Sequence, residues 1–299
     1  MRITNRTMSN NLLLNLQRGM TRLERLNNQL GSKKQINVPS DDPVKAGDIL
    51  RMRSTVRETE QYVRNTENAL SWLDASDIVL KDVLEVIHRS KELANRGAST
   101  HLDDTSRKAL ADEVYQLHDS LLQLANSTHG GRYLFSGQKT QTVPFQISGG
   151  DDDQLPEVEY KGDGQEVEFE IGVGINMGVN MKGETLFKPI FDALEGLYGQ
   201  LTDSVDPEEE QPRPMQDLDN ALDGVLRQIS ELGGKQNRVD LAHERLLDLS
   251  INVKKLLSDS EDLDYAEAIM HLKMEEFAYR TALSVGARII QPSLVDFLR

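Results

Sequence analysis

The sequence predicts an α+β multidomain fold: a long antiparallel helical bundle or coiled coil formed by both chain ends, with a small all-β domain inserted in the middle. Three observations carry this reading. Near the start, Leu12, Leu16, Gly19, Leu23, Leu26 and Leu30 alternate at spacings of four and three. Near the finish, Val239, Ala242, Leu246, Leu249, Val253 and Leu256 do the same, and the series continues at seven-residue steps through Leu263, Met270 and Phe277. In the middle the period changes to two. A narrow apolar seam is dry only when another helix covers it, so two seams far apart in sequence point to partners in space.

The elements follow in order. The first helix is expected over 7–30, ending in the turn-like run Gly31 to Pro39. Asp42 is placed to cap a second helix, and Pro43 suits its first position. That helix extends to about Asn95, with Val56, Val63 and Leu70 at steps of seven, interleaved with Thr59, Thr66, Leu73, Leu80 and Ile87. After a connection at 97–104, with Asp103 or Asp104 as cap, a third helix carries Leu110, Val114, Leu117, Leu121 and Leu124 and stops before Gly130-Gly131. A strand starts at Tyr133–Gly137. Val158 and Tyr160, then Val167, Phe169 and Ile171, alternate with glutamates. Lys161-Gly-Asp-Gly164 lies between those two runs and predicts a hairpin joining them. Helix returns over 186–201, and the proline- and glutamate-rich segment 202–214 reads as a mobile loop. The last helical region begins near Met215, with a break or bend expected at Gly233-Gly234 and another around 258–264.

These elements group into three expected domains: terminal helices 1–41 and 258–299, a helical rod from 42–130 and 185–257, and the β insert 131–184. Only 5% of the 299 residues are aromatic, which suits thin helical packing better than a thick globular core. The net charge of −15 is concentrated: residues 151–220 alone carry −15, against +3 for 1–150 and −3 for 221–299. The near-neutral ends can pack against copies of themselves, while the acidic middle stays solvated. No basic face appears, so nucleic acid is excluded as a primary partner. No apolar run approaches the ~20 residues needed to span a bilayer, so no membrane role is expected. The opening residues lack the pattern of a secretory signal, which leaves export by another route. Cysteine is absent, and with it disulfides and thiolate metal sites.

Nothing in the sequence points to catalysis, a metal or a cofactor, and the chain is not read as an enzyme. The six histidines are scattered without metal-binding spacing. Gly172-Val-Gly174 with Gly178 lacks the lysine and following helix of a phosphate loop and reads as strand and turn. Asp151-Asp-Asp153 lacks calcium-loop spacing. On pattern alone, the terminal seams fit a bundle closed within one chain and a bundle formed between chains equally well. The extremities favour the second. Leu12, Leu13 and Leu14 are consecutive, so one helix pair cannot bury all three, and Ile289, Ile290, Leu294, Val295, Phe297 and Leu298 crowd the final eleven residues. Ala278, Ala282, Ser284, Gly286 and Ala287 would let backbones approach closely. The expected assembly interface is therefore Leu12, Leu16, Leu23, Leu26, Leu30, Leu263, Met270, Phe277, Leu294, Phe297 and Leu298.

Several motifs carry a family likeness. Met1-Arg-Ile-Thr4, Leu26 to Gly31, Ile36-Asn-Val-Pro-Ser-Asp-Asp-Pro43, Gly131-Arg-Tyr-Leu-Phe-Ser-Gly137, Leu263 to Ala268 and Ser293-Leu-Val-Asp-Phe-Leu298 resemble the flagellin superfamily, and within it the hook–filament junction proteins of bacterial flagella. The likeness covers about 1–140 and 215–299. It departs where Gly31 precedes Ser32, since the family order is Ser or Thr, then Gly, before the basic pair. The resemblance implies a structural adaptor between the preceding hook-associated junction protein and flagellin. It further implies copies of the chain in a ring, unfolded passage through the flagellar type III system to an extracellular position, and a cytoplasmic export chaperone on the C-terminal segment. The apolar seams add an expectation: residues before about 42 and after about 258 are disordered in the free monomer and become helical on assembly. Flagellin itself, or a helical stalk with a ligand-binding or enzymatic β insert, remain as alternatives.

Overall fold

A computed structural model of the chain describes residues 5–98, 103–149, 155–202 and 214–290. Its helices are α1 (Asn5–Ser32), α2 (Pro43–Gly97), α3 (Asp104–Ala125), α4 (Gly183–Thr202), α5 (Pro214–Glu261) and α6 (Tyr265–Ile290). Six short strands lie between α3 and α4: β1 (Thr128–His129), β2 (Arg132–Tyr133), β3 (Phe145–Gly149), β4 (Glu157–Tyr160), β5 (Glu168–Gly172) and β6 (Ile175–Gly178). The chain forms two compact units, one from Met1–Glu58 with Leu249–Arg299 and the other from Thr59–Asp248, with α2 and α5 supplying residues to both.

The larger unit is built on two seven-residue repeats. On α2, Thr66, Leu73, Leu80 and Ile87 are fully buried, and Ala69, Ser76, Val83 and Ser90 fill the intervening positions. On α5, Leu218, Val225, Leu232, Val239 and Leu246 form the matching series. Polar contacts set these helices antiparallel: Lys91 pairs with Asp219, Asp74 accepts from Gln236 at 2.9 Å, and Thr66 meets His243 Nδ1 at 2.9 Å. The Thr66 hydroxyl donates to Val63 O, so it accepts from His243, which fixes the ring proton on Nδ1. The buried serines and threonines cost little where their hydroxyls bond the preceding turn, as Ser76 does to Trp72 O and Ser90 to Val86 O.

The break expected at Gly233-Gly234 does not occur, and α5 runs unbroken through both glycines. The buried repeat continues across them, from Leu232 to Val239, so packing outweighs a helix-propensity penalty of about 1 kcal/mol per glycine. The bend expected around 258–264 is a true interruption, between α5 and α6.

The middle region consists of three two-stranded antiparallel sheets, β1–β2, β3–β4 and β5–β6. The hairpin expected at Lys161–Gly164 is absent. β4 pairs back with β3, placing Tyr160 opposite Phe145, and β5 pairs forward with β6 around Val173-Gly174. The 161–164 segment is held by other contacts. Asp163 Oδ1 accepts from the Gln138 and Gln165 amides, and the Asp163 amide bonds Ser136 O. Gly137 makes this crossing possible: its φ is +71°, and any Cβ there would collide with Asp163. The sheets share the helical core. Phe135 and Phe145 meet Phe187 of α4 edge-on, at 4.9 and 5.4 Å between centroids.

In the smaller unit α1 packs along α6. The turn after α1 docks on the α5–α6 interruption through backbone bonds, Gln35 N to Glu261 O at 2.8 Å and Leu263 N to Lys33 O at 3.1 Å. Glu261 is the anchor. Its side chain is 7% exposed and binds both Arg53 and Lys34. Arg53 Nε donates at 3.0 Å, and the second Arg53 bond and the Lys34 bond complete the set. These donors, Arg53 foremost, hold the Glu261 carboxyl below its ordinary value. Lys33 carries the left-handed strain of the turn, at φ 65°. Asp42 caps α2, accepting from the Val44 and Lys45 amides at 3.1 and 3.0 Å. Asp264 caps α6 in the same way through Ala266 and Glu267.

Two outcomes test this account. Nothing lies within 4 Å of a Cβ built at Gly233 or Gly234. Replacing both with alanine therefore raises unfolding free energy by about 1 kcal/mol per site, read by urea denaturation. Because the Glu261 carboxyl is depressed, its contribution is fully present above about pH 4.5 and is lost as pH falls through the lower folded value. Far-UV circular dichroism during acid titration should show this loss in the native chain. Glu261→Gln removes roughly 2–3 kcal/mol at neutral pH, less than a fully buried pair because both cations are about 40% exposed, and it flattens the acid dependence.

Candidate assembly interface

A helix covered on one side only must be polar on the other to rest in water. α6 does not meet that condition. The covered stripe of α1 is Leu12, Leu16, Leu23, Leu26 and Leu30, all half-buried, with Gly19 buried among them. The facing stripe of α6 is Ala268, Leu272, Tyr279, Ala282 and Gly286. Close approach depends on the two glycines. A Cβ on Gly286 would lie 2.5 Å from the Leu12 side chain, and one on Gly19 would lie 3.4 Å from the Tyr279 ring. Arg22 fixes the register through two bonds to Glu275, at 2.9 and 3.1 Å.

The other side of α6 carries an open apolar stripe, whereas α1 exposes apolar groups mainly beside its covered stripe. On α6, Met270, Met274 and Phe277 fall at four- and three-residue spacing and are 54%, 62% and 74% exposed. Ile269, Leu283 and Val285 are exposed on the same helix. On α1, Leu13, Leu14 and Met20 are exposed, and within this unit α5 adds Leu249 and Leu256. Leu249, Leu256, Leu263, Met270 and Phe277 are seven apart, so this repeat is laid out as a seam, yet only Leu263 is half-buried.

The structure thus separates the residues expected at an interface. Leu12, Leu16, Leu23, Leu26 and Leu30 share the intrachain stripe, with Leu263 half-buried at the foot of α6. Met270 and Phe277 face away from it into solvent. Leu294, Phe297 and Leu298 lie outside the described residues, as do Asp151-Asp-Asp153 and 203–213. Of the small residues near the C-terminus, Gly286 and Ala282 enter the stripe, whereas Ala278, Ser284 and Ala287 are exposed. Sequence reasoning missed the Glu261–Arg53–Lys34 cluster. It joins residues more than 200 positions apart, Arg53 and Glu261 being separated by 208, and no local spacing signals it. It also missed Leu272 and Tyr279, which a count at 3.6 residues per turn from Ala268 would have placed opposite Met270.

Among the described residues no three His, Cys, Asp or Glu side chains converge as metal ligands, and no helix is long and apolar enough to cross a membrane. The geometry is that of packing surfaces.

Comparison with known proteins gives the family. The bacterial flagellin N-terminal helical region matches residues 3–140, and the bacterial flagellin C-terminal helical region matches 215–298. The flagellar hook-associated protein 3 of Escherichia coli (strain K12) is 25% identical over 280 residues, covering 85% of this chain and 86% of that protein. The protein of the same name from Salmonella typhimurium is 24% identical, over 94% and 95%. In fold, the crystal structure of flagellar hook associated protein-3 from Legionella pneumophila matches with a TM-score of 0.60 at 17% identity, covering 71% of this chain and 99% of that one. The first matched region takes in α1 to α3 with β1 and β2, the second takes in α5 and α6, and the family is one of structural flagellar components, not of enzymes. This chain belongs to the bacterial flagellin family.

Proposed function

We propose that this chain is the structural adaptor of a bacterial flagellum that joins the hook side to the flagellin filament, through the preceding hook-associated junction protein. The observation that carries the reading is the second, open apolar stripe on α6. It needs a neighbouring helix, and among the described residues none covers it. Two curated relatives matched over most of their length bear the name flagellar hook-associated protein 3, which favours a bounded junction over an unlimited filament. In this reading copies of the chain stand side by side in a ring, with Met270 and Phe277 against neighbouring subunits and the Leu16–Leu23 stripe against α6. The terminal domains 1–41 and 258–299 form the assembly core. The helical rod, 42–130 with 185–257, and the insert 131–184 lie outside that core, and the acidic strands face water, where charge costs least. Passage through the type III channel, with a chaperone on the C-terminal segment, keeps the sticky faces apart until they reach their partners.

In the free chain α1 is held by one half-buried stripe, the Arg22–Glu275 and Arg25–Asp41 pairs, the Glu261 cluster and the backbone bonds of the turn that follows it. The stability of a helix such as α1 comes mainly from packing of its apolar face rather than from propensity. Ordering of 5–32 and 265–290 is therefore coupled to assembly.

Three results test the proposal. Met270→Asp with Phe277→Asp leaves the helicity of purified monomer unchanged, because both sites are exposed, but abolishes motility in a strain lacking the native gene. Such a strain secretes monomeric flagellin, which electron microscopy and culture supernatants reveal. Wild-type filaments from the double variant contradict the interface, and unlimited self-polymerisation of the native chain points to a filament subunit instead. Leu23→Asp breaks the intrachain stripe, loses roughly 1–3 kcal/mol locally, and abolishes junctions while the Thr59–Asp248 unit stays folded. Amide exchange on monomer should find Leu16–Leu30 weakly protected and α2 from Leu73 to Ile87 strongly protected; strong protection across both ends the coupling argument.

A further inference from the structure

A cavity of about 440 Å3 opens among α3, α4 and the β3–β4 sheet, inside the larger unit. Aromatic rings line it. Phe145 and Phe191 are buried with centroids 5.9 Å apart, and Tyr160 stands 5.1 Å from Phe145. Acids line it too. Glu184, Asp192 and Glu195 fall on one face of α4, and Glu157 and Glu159 come from β4. Lys188 is the cation on the cavity wall, and Lys161 approaches Glu159 at 3.6 Å, so the carboxylates outnumber their counter-charges. Although open to solvent on one side, Asp192 and Glu195 are raised above ordinary carboxyl values, first by desolvation; Asp192 and Glu157 push Glu195 further.

An acidic cluster alone is a solvated surface. The second observation is His118, which lines the same cavity from α3 with its side chain only 2% exposed. Its ring packs edge-on against Phe191 at 5.2 Å, and its Nδ1 has no hydrogen-bond partner. The nearest acidic oxygen, Asp119 Oδ1, is 4.0 Å away, beyond hydrogen-bond reach. Burial lowers the affinity of this imidazole for a proton, so it stays neutral and keeps one nitrogen as an acceptor. With the ring proton on Nε2, the unpaired Nδ1 is an acceptor that a ligand N–H would satisfy.

The chemistry selects the ligand. No three described side chains converge as metal ligands, and ring faces beside carboxylates suit a cation with donor N–H groups and an apolar stem. We propose that this cavity binds an organic cation bearing a protonated amine or guanidinium, held by Asp192 and Glu195 at the mouth, flanked by Tyr160, Phe145 and Phe191, and donating toward His118. The group is either a free polyamine or a Lys or Arg side chain presented by another polypeptide.

The test uses the full chain. Spermidine and N-acetyl-arginine amide are titrated separately by calorimetry, with the His118 ring followed by 15N NMR and magnesium chloride as the inorganic control. At least one organic cation should bind and move the His118 signals. Asp192→Asn with Glu195→Gln should weaken it by about tenfold or more, with circular dichroism unchanged, and Glu184→Gln alone should weaken it less. The exposed pair Glu67→Gln with Glu85→Gln, on α2, should leave binding unaltered. Spermidine alone identifies a free amine, arginine amide alone a protein side chain, and binding of both supports the shared chemistry. Silence from both, His118 signals that do not move, or magnesium displacing the ligand at equal concentration overturns the proposal.

Discussion

An α-helix with two apolar faces requires two neighbours, and most of the behaviour inferred for this chain follows from that constraint on α6. Its inner face is satisfied by α1. Its outer face, from Met270 to Val285, is not. Burying Met270, Met274 and Phe277 from their present exposure contributes about 1–2 kcal/mol each. That is small against ordering a helix, since fixing each residue costs about 1–2 kcal/mol of backbone entropy. Neither stripe alone therefore decides whether the terminal helices stand. Both together, multiplied over the neighbouring copies of the proposed assembly, can. A cooperative assembly arises from two marginal surfaces more readily than from one strong one, because a single strong face would already close on itself before its neighbours arrive.

The Glu261 cluster has the complementary task of setting geometry. Packing between apolar stripes constrains register here only where Gly286 meets Leu12 and Gly19 meets Tyr279. A nearly buried carboxylate is not permissive. It must meet Arg53 and Lys34 together, and leaving it unpaired is far costlier than forming the pair is stabilising. The cluster fixes where α1 ends and α6 begins, and Arg22 with Glu275 repeats the constraint farther along. The left-handed residue at Lys33 marks the strain of that turn. The sequence places Gly31 two positions earlier, inside α1, where its conformational freedom is unused.

What was legible in the sequence was whatever rested on local periodicity. The α2 repeat through Thr66, Leu73, Leu80 and Ile87, the Asp42-Pro43 helix start and the stripe on α1 all emerged from spacing, because each is a property of one helix face. What depended on distant partners was not legible. Lys161–Gly164 has the composition of a hairpin turn, but Tyr160 already faces Phe145, and Asp163 is engaged by Gln138 and Ser136. Gly233-Gly234 has the composition of a break, but Leu232 and Val239 hold the helix through it. Met270 and Phe277 stand seven residues apart in the sequence. The face on which that repeat sits was invisible, because a helix with two apolar sides gives the same seven-residue signal from either one.

The same reasoning bears on the middle region. Its charge suggests an appendage, yet Leu134, Phe135, Phe145 and Met177 are buried in one cluster with α4 and the long helices. Removing 135–183 would strip Phe187 of Phe135 and Phe145 and Phe191 of Phe145, and open a hydrophobic surface on α4. The region is thus better understood as a lid on a helical core whose outward side happens to be acidic. Edge strands in two-stranded sheets invite unwanted pairing, and Glu157, Glu159, Glu168 and Glu170 along β4 and β5 discourage it. Repulsion on this surface and attraction at the termini together leave close packing favoured only where the apolar stripes are.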